Sequence, residues 1–584
     1  MPEDPFTSEV IRSYLASTVR EMVKATTRTA YSIVFSEGAD FSCALFDGQT
    51  RCISLESGNP VHMASLPSAL QALMERYPEI DEGDVLLTND PYRGGTHHSD
   101  VVVVKPIFHA EKLVAFGINR GHWSDIGGMS AGGFSGAARD VIQEGLIIPP
   151  IKLYRGGRLV PELKDLLMSN VRVSDRVWGD LQAQIAAVIT AERRVKSLIA
   201  KYGLTAVIDG MDYAIAYSKR RFLRGMQAIP DGDYHAVQFM EDDGAVDRSY
   251  RIEVHITKEA DRFTVDFKGS DRQALGPINA SLAVSMASSF CALTAVVDAY
   301  APLNQGVFDL VDVIAPKGTV VNPTYPAPLY GGNCDTAARI FEAVVKAFAD
   351  AMPERVMSGH VASGMNTTAW GQESETRNEF AWYMFPSGGW GARASKDGNN
   401  DVFHAMGNCM NQPVEVWETR YPTRIEKCEL RADSGGAGRF RGGLGIERHL
   451  RMLARETLVS ALADGCTQQP FGLDGGQAGS SNAFEVIRAG DGPRPLREVY
   501  DLPSWGKFSN VPLQQDDVLS IKCAGGGGFG PPEERDFEAL EWDVLNGYVS
   551  PEAALKEYRV CIDESTGKID RKKTEQLRSR STHR

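Results

Sequence analysis

Residues 89–128, NDPYRGGTHHSDVVVVKPIFHAEKLVAFGINRGHWSDIGG, constrain the fold more than any other stretch. A β-branched run from Val101 to Ile107 is followed by His109, Ala110 and Glu111, then by a second apolar run from Leu113 to Ile118. Two such runs joined by a short polar segment predict an antiparallel hairpin. A turn near Ala110 places Asp100 opposite Arg120 and brings His97 and His98 beside His122 and Trp123. Four groups able to ligate a metal or move a proton (His97, His98, Asp100 and His122) then gather at one end, with Asp125 close by. Imidazole and carboxylate are the donors of a catalytic zinc, manganese or iron site with an open position. His-x-x-Asp alone is a weak signal, and an ordinary structural cluster is the competing reading. The flanking Gly94, Gly95, Gly121, Gly127 and Gly128 favour the metal, because glycine lets backbone approach an ion closely.

At 584 residues the chain is too long for one simple core. Its composition, 43% hydrophobic and 24% charged, is that of an ordinary globular protein. A net charge of −14 argues against a nucleic-acid binder, which needs a basic footprint. Met1 is followed by PEDPFTSEV, with neither a basic n-region nor an apolar h-region, so a cytoplasmic location is expected. Nine dispersed cysteines without a C-x-x-C pair fit reduced thiols there. Cys334 is the most suggestive nucleophile by context, against the alternative of a buried structural thiol.

Along the chain, Ile11, Leu15, Val19, Met22 and Val23 recur at helical spacing, predicting a helix from Ser8 to about Val34 with Thr7 or Ser8 as cap. FSCALFDGQTRCISL predicts a hairpin about Asp47-Gly48. Asp40 precedes it, a turn aspartate as an isolated residue. His62 opens a helix near Met63–Tyr77, where it is a helix-terminus residue or lines a pocket. Asp90 is a turn initiator or lies behind the site. Glu144 is a candidate base, with a salt bridge or helix-end role as the alternative. Residues 171–227 predict long amphipathic helices, and residues around Lys258–Asp261 a strand pair. LAVSMASSFCALTAVVDAY is apolar all round but interrupted by polar residues, as in a buried helix rather than a membrane span. Gly331 to Thr336 is a loop entering a helix that Asn333 or Asp335 could cap. Backbone N–H groups at such a terminus can also hold an anion. No glycine-rich run carries the phosphate-binding G-x-x-x-x-G-K-[ST] pattern. SGGAGRFRGGLG and CAGGGGFG instead predict tight turns and close backbone packing. From about Phe537 a charged helix runs into the tail RKKTEQLRSRSTHR.

The expected class is α+β, mixed helices and antiparallel sheets in several layers with a β-rich C-terminal region. Four regions are expected: 1–170 with the metal-site hairpin, 171–384 helical and mixed, 385–536 β-rich with glycine turns, and 537–584 a helix and charged tail.

NDPYRGGTHHSD, GHWSDIGG and QEGLIIPPIKLY resemble signatures of the hydantoinase B/oxoprolinase family. The likeness continues through GGNCDTAARI, GGWGARASKDG, EVWETRYPTRIEKCELR, SGGAGRFRGGLGIERHL and AGGGGFGPP. It implies His97, Asp100 and His122 as metal ligands, with Asp40 as a fourth in the lactamase-like members. It also implies a cyclic-amide hydrolase subunit acting on a lactam, hydantoin or oxoproline. The partner would be a hydantoinase A-like subunit that holds ATP and magnesium and phosphorylates the amide oxygen, in a heterotetramer of two copies of each. One divalent ion, zinc, manganese or iron, belongs to the present chain, and Asp125 and Glu144 are its candidate acid–base residues. Related alternatives are a subunit of an ATP-dependent ketone carboxylase and a non-catalytic scaffold for the ATP-using partner. Neither nucleic acid nor membrane is an expected partner.

Overall fold

The computed structural model describes residues 5–56, 58–563 and 566–579. Its N-terminal half is built on a seven-stranded antiparallel sheet. The strands are β1 (Phe41–Asp47), β2 (Cys52–Glu56), β3 (Val85–Thr88), β4 (Asp100–His109), β5 (Lys112–His122), β6 (Ile151–Arg155) and β7 (Arg158–Leu159), ordered β2-β1-β5-β4-β3-β6-β7. Residues 100–107 of β4 are all buried because both faces of the sheet are covered. Alternate side chains enter different cores, as strand geometry requires. Val101, Val103 and Ile107 join a core with α1 (Pro5–Thr29) and the long α3 (Ser174–Tyr202). Val102 and Val104 join another with α2 (Pro60–Arg76) and the following sheet. Helix α1 presents the expected Ile11, Leu15, Val19 and Met22, but it already includes Pro5, the first described residue, and ends well before Val34. Thr7 and Ser8 therefore lie within the helix rather than ahead of it.

The central hairpin forms, with a register two residues from the expected one. Asp100 pairs with His122, not Arg120. Two residues make the turn, Ala110 and Glu111 at φ 48° and 63°, the positive-φ pair of a type I′ turn. A bulge between Ile107 and Phe108 adds the remaining offset. An even shift keeps every side chain on its face. Pairing of β1 with β5 sets Phe41 opposite Gly121, and His122 N–H donates to the Asp40 carbonyl at 3.0 Å. A Cβ on Gly121 would fall 2.2 Å from the Phe35 ring, so only glycine permits this approach.

The helix α4 (Leu204–Met226) follows α3. A second sheet has strands β8 (Gly232–Met240), β9 (Tyr250–Glu259), β10 (Arg262–Asp266) and β11 (Val311–Ile314), ordered β11-β10-β9-β8. Its β10–β11 pair is parallel. The helices α5 (Leu282–Asp298) and α6 (Asp335–Ala347) share its core, and α5 is the expected buried helix. Among the described residues no helix is long and apolar enough to cross a membrane.

Strand character in the C-terminal part begins at Asn366–Gln372, before the expected residue 385. A four-stranded and a five-stranded sheet enclose a core containing Trp382, Trp417, Leu450 and Leu519. The glycine runs pack backbone on backbone, as expected. A Cβ on Gly525, Gly526 or Gly527 would lie 1.9–2.0 Å from the carbonyl oxygens of Ser434, Trp390 and Phe471. The C-terminal stretch is not one helix. It breaks into Phe537–Leu545, Pro551–Lys556 and Arg571–Ser579, and residues 580–584 of the charged tail lie outside the described residues. The class is α+β.

Candidate metal centre

The start of β4 and the end of β5 carry His97, Asp100 and His122 into a buried cluster. The His97 Nε2 atom is 3.1 Å from both Asp100 Oδ1 and His122 Nδ1, and His122 Nδ1 is 3.4 Å from that same oxygen. Donors held about 2.0–2.1 Å from one ion are themselves separated by about 3–3.5 Å. A third imidazole completes the ring of nitrogens about Asp100: His62 Nε2 lies 3.0 Å from Oδ1. Asp40 stands at the edge, one oxygen 3.9 Å from His62 Nε2 and the other 3.9 Å from His122 Nδ1.

These approaches suit an ion better than hydrogen bonds. Asp100 Oδ1, both ring nitrogens of His62 and His122 Nε2 are buried without a hydrogen-bond partner. An orphaned carboxylate oxygen facing imidazoles is costly unless something occupies the gap. The outer shell is arranged to aim the donors. His97 Nδ1 lies 3.1 Å from the Tyr330 carbonyl, which can accept its proton and leave Nε2 as the donor atom. Asp100 Oδ2 accepts from Thr96 Oγ1 at 2.5 Å and Asn333 Nδ2 at 3.1 Å, freeing Oδ1. Burial alone would raise the Asp100 carboxyl, but His62, His97 and His122 hold it well below the usual carboxylate range. Burial pushes His97 down, against the pull of Asp100. The donor set is therefore a carboxylate held ionised, with His97 pushed toward its neutral form beside it, which fits a divalent ion.

A small pocket of about 10 Å³, room for about one water-sized sphere, adjoins the cluster. Asn59, Asn366, Tyr383, Phe403, His404 and Cys409 line it beside Asp40, His62, His97, His122, Asn333 and Cys334. The ring of Tyr383 stacks on His122 with centroids 4.8 Å apart.

Other sequence candidates have different employment. His98 turns away from the cluster, stacks on Tyr330 and is pushed by burial to a pKa of about 3. Arg120 does not pair with Asp100 in register; it donates to Ser65 Oγ and the His62 carbonyl. Asp125 is not placed as a free base. Its oxygens accept from the backbone of Gly127, Gly132 and Arg172 and from the Arg172 guanidinium. Glu144 likewise accepts from Leu329 and Tyr330 N–H, holding the segment whose carbonyl faces His97. Burial raises its pKa to about 8. Asn333 does not cap α6: Cys334 is the capping position, without a side-chain bond, and Asn333 serves Asp100 instead. Burial, with Asp335, Asp100 and Asp40 nearby, holds the Cys334 thiol far above its ordinary range, so it is no thiolate nucleophile. His62 is the residue that sequence reasoning undervalues. Its neighbours signal only a helix start, and the packing of α2 against the sheet brings it to Asp100.

A family model described as hydantoinase B/oxoprolinase matches residues 4–532. The chain belongs to the hydantoinase B/oxoprolinase family. It is 32% identical to the B component of a putative D-/L-hydantoinase from a Pseudomonas strain, with 98% of each chain aligned. It is also 32% identical to the beta chain of the caprolactamase of Pseudomonas jessenii, with 97% of each aligned. A crystal structure of the ATP-dependent caprolactamase of that organism superposes with TM-score 0.91 at 29% identity, covering 99% of this chain and 100% of the other. A nucleotide-free acetone carboxylase structure, 19% identical, shares the fold at TM-score 0.90, covering 100% of this chain and 83% of the other.

Proposed function

We propose that this chain is the hydrolytic subunit of an ATP-dependent cyclic amidase, acting on a lactam, hydantoin or oxoproline-type ring. The observation that carries this reading is the gathering of His62, His97 and His122 about one orphaned oxygen of Asp100, beside a small pocket. Family membership and the named relatives support the substrate class. A ring amide resists water because resonance makes its carbon a poor electrophile, and phosphorylation of its oxygen removes that protection. The phosphorylating partner is a hydantoinase A-like subunit holding ATP and magnesium, in a heterotetramer of two copies of each chain. The absence of a Walker-type pattern from this sequence fits that division.

His97 through Nε2, His122 through Nδ1 and Asp100 through Oδ1 would hold one divalent ion, with Asp40 as the fourth ligand. When bound, zinc, manganese or iron supplies a Lewis-acid charge that lowers the pKa of a neighbouring water toward neutrality. The chain's own residues do the rest. Thr96 and Asn333 fix Asp100, and the Tyr330 carbonyl fixes the His97 ring. Tyr383 and Phe403 give the ring an apolar wall that excludes bulk water. Nε2 of His62, lying between Asp100 and Asp40, can receive the proton that attacking water releases. Asp125 and Glu144 act as positioning residues.

The test is to assay the purified chain with and without the partner subunit, ATP and a panel of lactams and hydantoins. Ring-opened product is expected only when both subunits and ATP are present. Ring opening by this chain alone, without ATP, would overturn the two-subunit reading.

A further inference from the structure

The outer face of the four-stranded sheet carries a second convergence of donors. His235 on β8 and His255 on β9 are direct cross-strand partners. Residues paired this way have Cβ atoms about 4.5–5.5 Å apart, so two imidazoles so placed can reach one point. Their ring centroids are 4.4 Å apart. Glu253, two residues before His255, projects from the same face, and both imidazoles aim Nε2 at its Oε1, at 2.8 Å from His235 and 3.3 Å from His255. One donor atom from each of the three lies within 4.8 Å of the others.

We propose that His235, Glu253 and His255 form a second metal site, for zinc or another borderline divalent transition ion. Two imidazoles and a carboxylate suit those ions, whereas a hard ion such as calcium or magnesium prefers oxygen donors alone. The carboxylate is held in place from its other side. Arg251 binds Oε2 at 2.8 Å, so Oε1 faces the histidines. Ser270 Oγ accepts from Glu253 N–H and donates to the Glu253 carbonyl, fixing the backbone. A Cβ on Gly269 would lie 1.8 Å from Oε2, so glycine there makes room for the carboxylate. The rings are exposed, which leaves a further coordination position open to water or to a donor from another molecule. An ion at this place ties β8 to β9 through side chains as well as through the ladder. The positive charge of Arg251 opposes it, so the site is weaker than one without that neighbour.

The experiment uses the full chain, stripped with chelator, dialysed to equilibrium against zinc chloride and counted for zinc by mass spectrometry. His235→Ala/His255→Ala is expected to bind one ion fewer than the parent at the same free zinc. The same decrement is expected in a His97→Ala background, which separates the outer face from the interior cluster. Circular dichroism confirms that the exposed-residue variants fold. Arg251→Gln is expected to raise the zinc affinity of the outer site several-fold. Equal zinc content in the parent and the double variant overturns the site, and so does an Arg251→Gln affinity no higher than the parent's.

Discussion

The two histidine–carboxylate clusters have nearly the same donor groups and opposite surroundings. In the interior, the side chains of His97, Asp100 and His122 are 1%, 0% and 2% exposed. On the outer sheet, those of His235 and His255 are 47% and 58% exposed around a Glu253 at 11%. Outside, both histidines hydrogen-bond to Glu253, and the trio is satisfied by itself. Inside, similar distances come with orphaned polar atoms, where desolvation makes an unmet group expensive. The outer trio can therefore stand without an ion and binds one weakly, whereas the inner donors need an occupant to offset their burial.

The sharpest way to break this contrast is Asp100→Ala. Ring-opened product should fall by more than about a hundredfold, because the residue supplies both charge and position. ATP cleavage by the partner should persist, giving phosphate without product. Measuring the two side by side decides: proportionate loss of both sinks the division of labour, and normal product removes Asp100 from the centre. Asn333→Ala is next. It takes away one of the two hydrogen bonds that aim Asp100, so metal affinity should weaken by about 10–100-fold, read by competition with a chromophoric chelator.

A third change tests burial itself. Glu144 has a folded pKa of about 8, raised from 4.5, so the folded state holds its proton more tightly than the unfolded one. Its contribution to stability is full below about pH 4.5 and is lost as pH rises toward about 8. Glu144→Gln should remove that decline, a difference in slope of up to about 1.4 kcal/mol per pH unit. Urea unfolding of parent and variant across that window measures it, and parallel curves would refute it. The smallest effect belongs outside. Without metal, His235→Ala should change unfolding stability by no more than about 0.5 kcal/mol, as for other exposed substitutions. A larger thermal shift in chelator would show that the ring has a structural duty beyond its hydrogen bond.

What the sequence discloses divides along the same line. Period and turn chemistry locate α1, the β1–β2 hairpin, the central hairpin and the buried α5, because each is encoded by neighbours in the chain. His97, Asp100 and His122 come together on the hairpin argument even with its register two residues off, since an even displacement preserves faces. The bulge at Ile107 has one signal in the sequence, the neighbouring Pro106, since proline within a central strand marks such an irregularity. His62 and Asn333 escape for another reason. Each has a local role that explains it adequately, a helix start and a helix cap, and only packing between distant segments reveals the other. The Asp125 and Glu144 carboxylates look free in the sequence because their partners are backbone N–H groups and, for Asp125, the distant Arg172 guanidinium, which no local pattern announces.

The backbone-packed glycines of residues 525–528 bear on how likeness among such chains is to be weighed. A side chain there would collide with carbonyl oxygens of other segments, so the composition of this run is dictated by space alone. A relative that shares CAGGGGFG has disclosed the shape of its C-terminal half and nothing about its ring. Under the proposed function, what tells one ring from another would sit in the pocket wall, at buried positions such as Asn366, Phe403 and His404. Two members could match letter for letter along the glycines and still differ in diet.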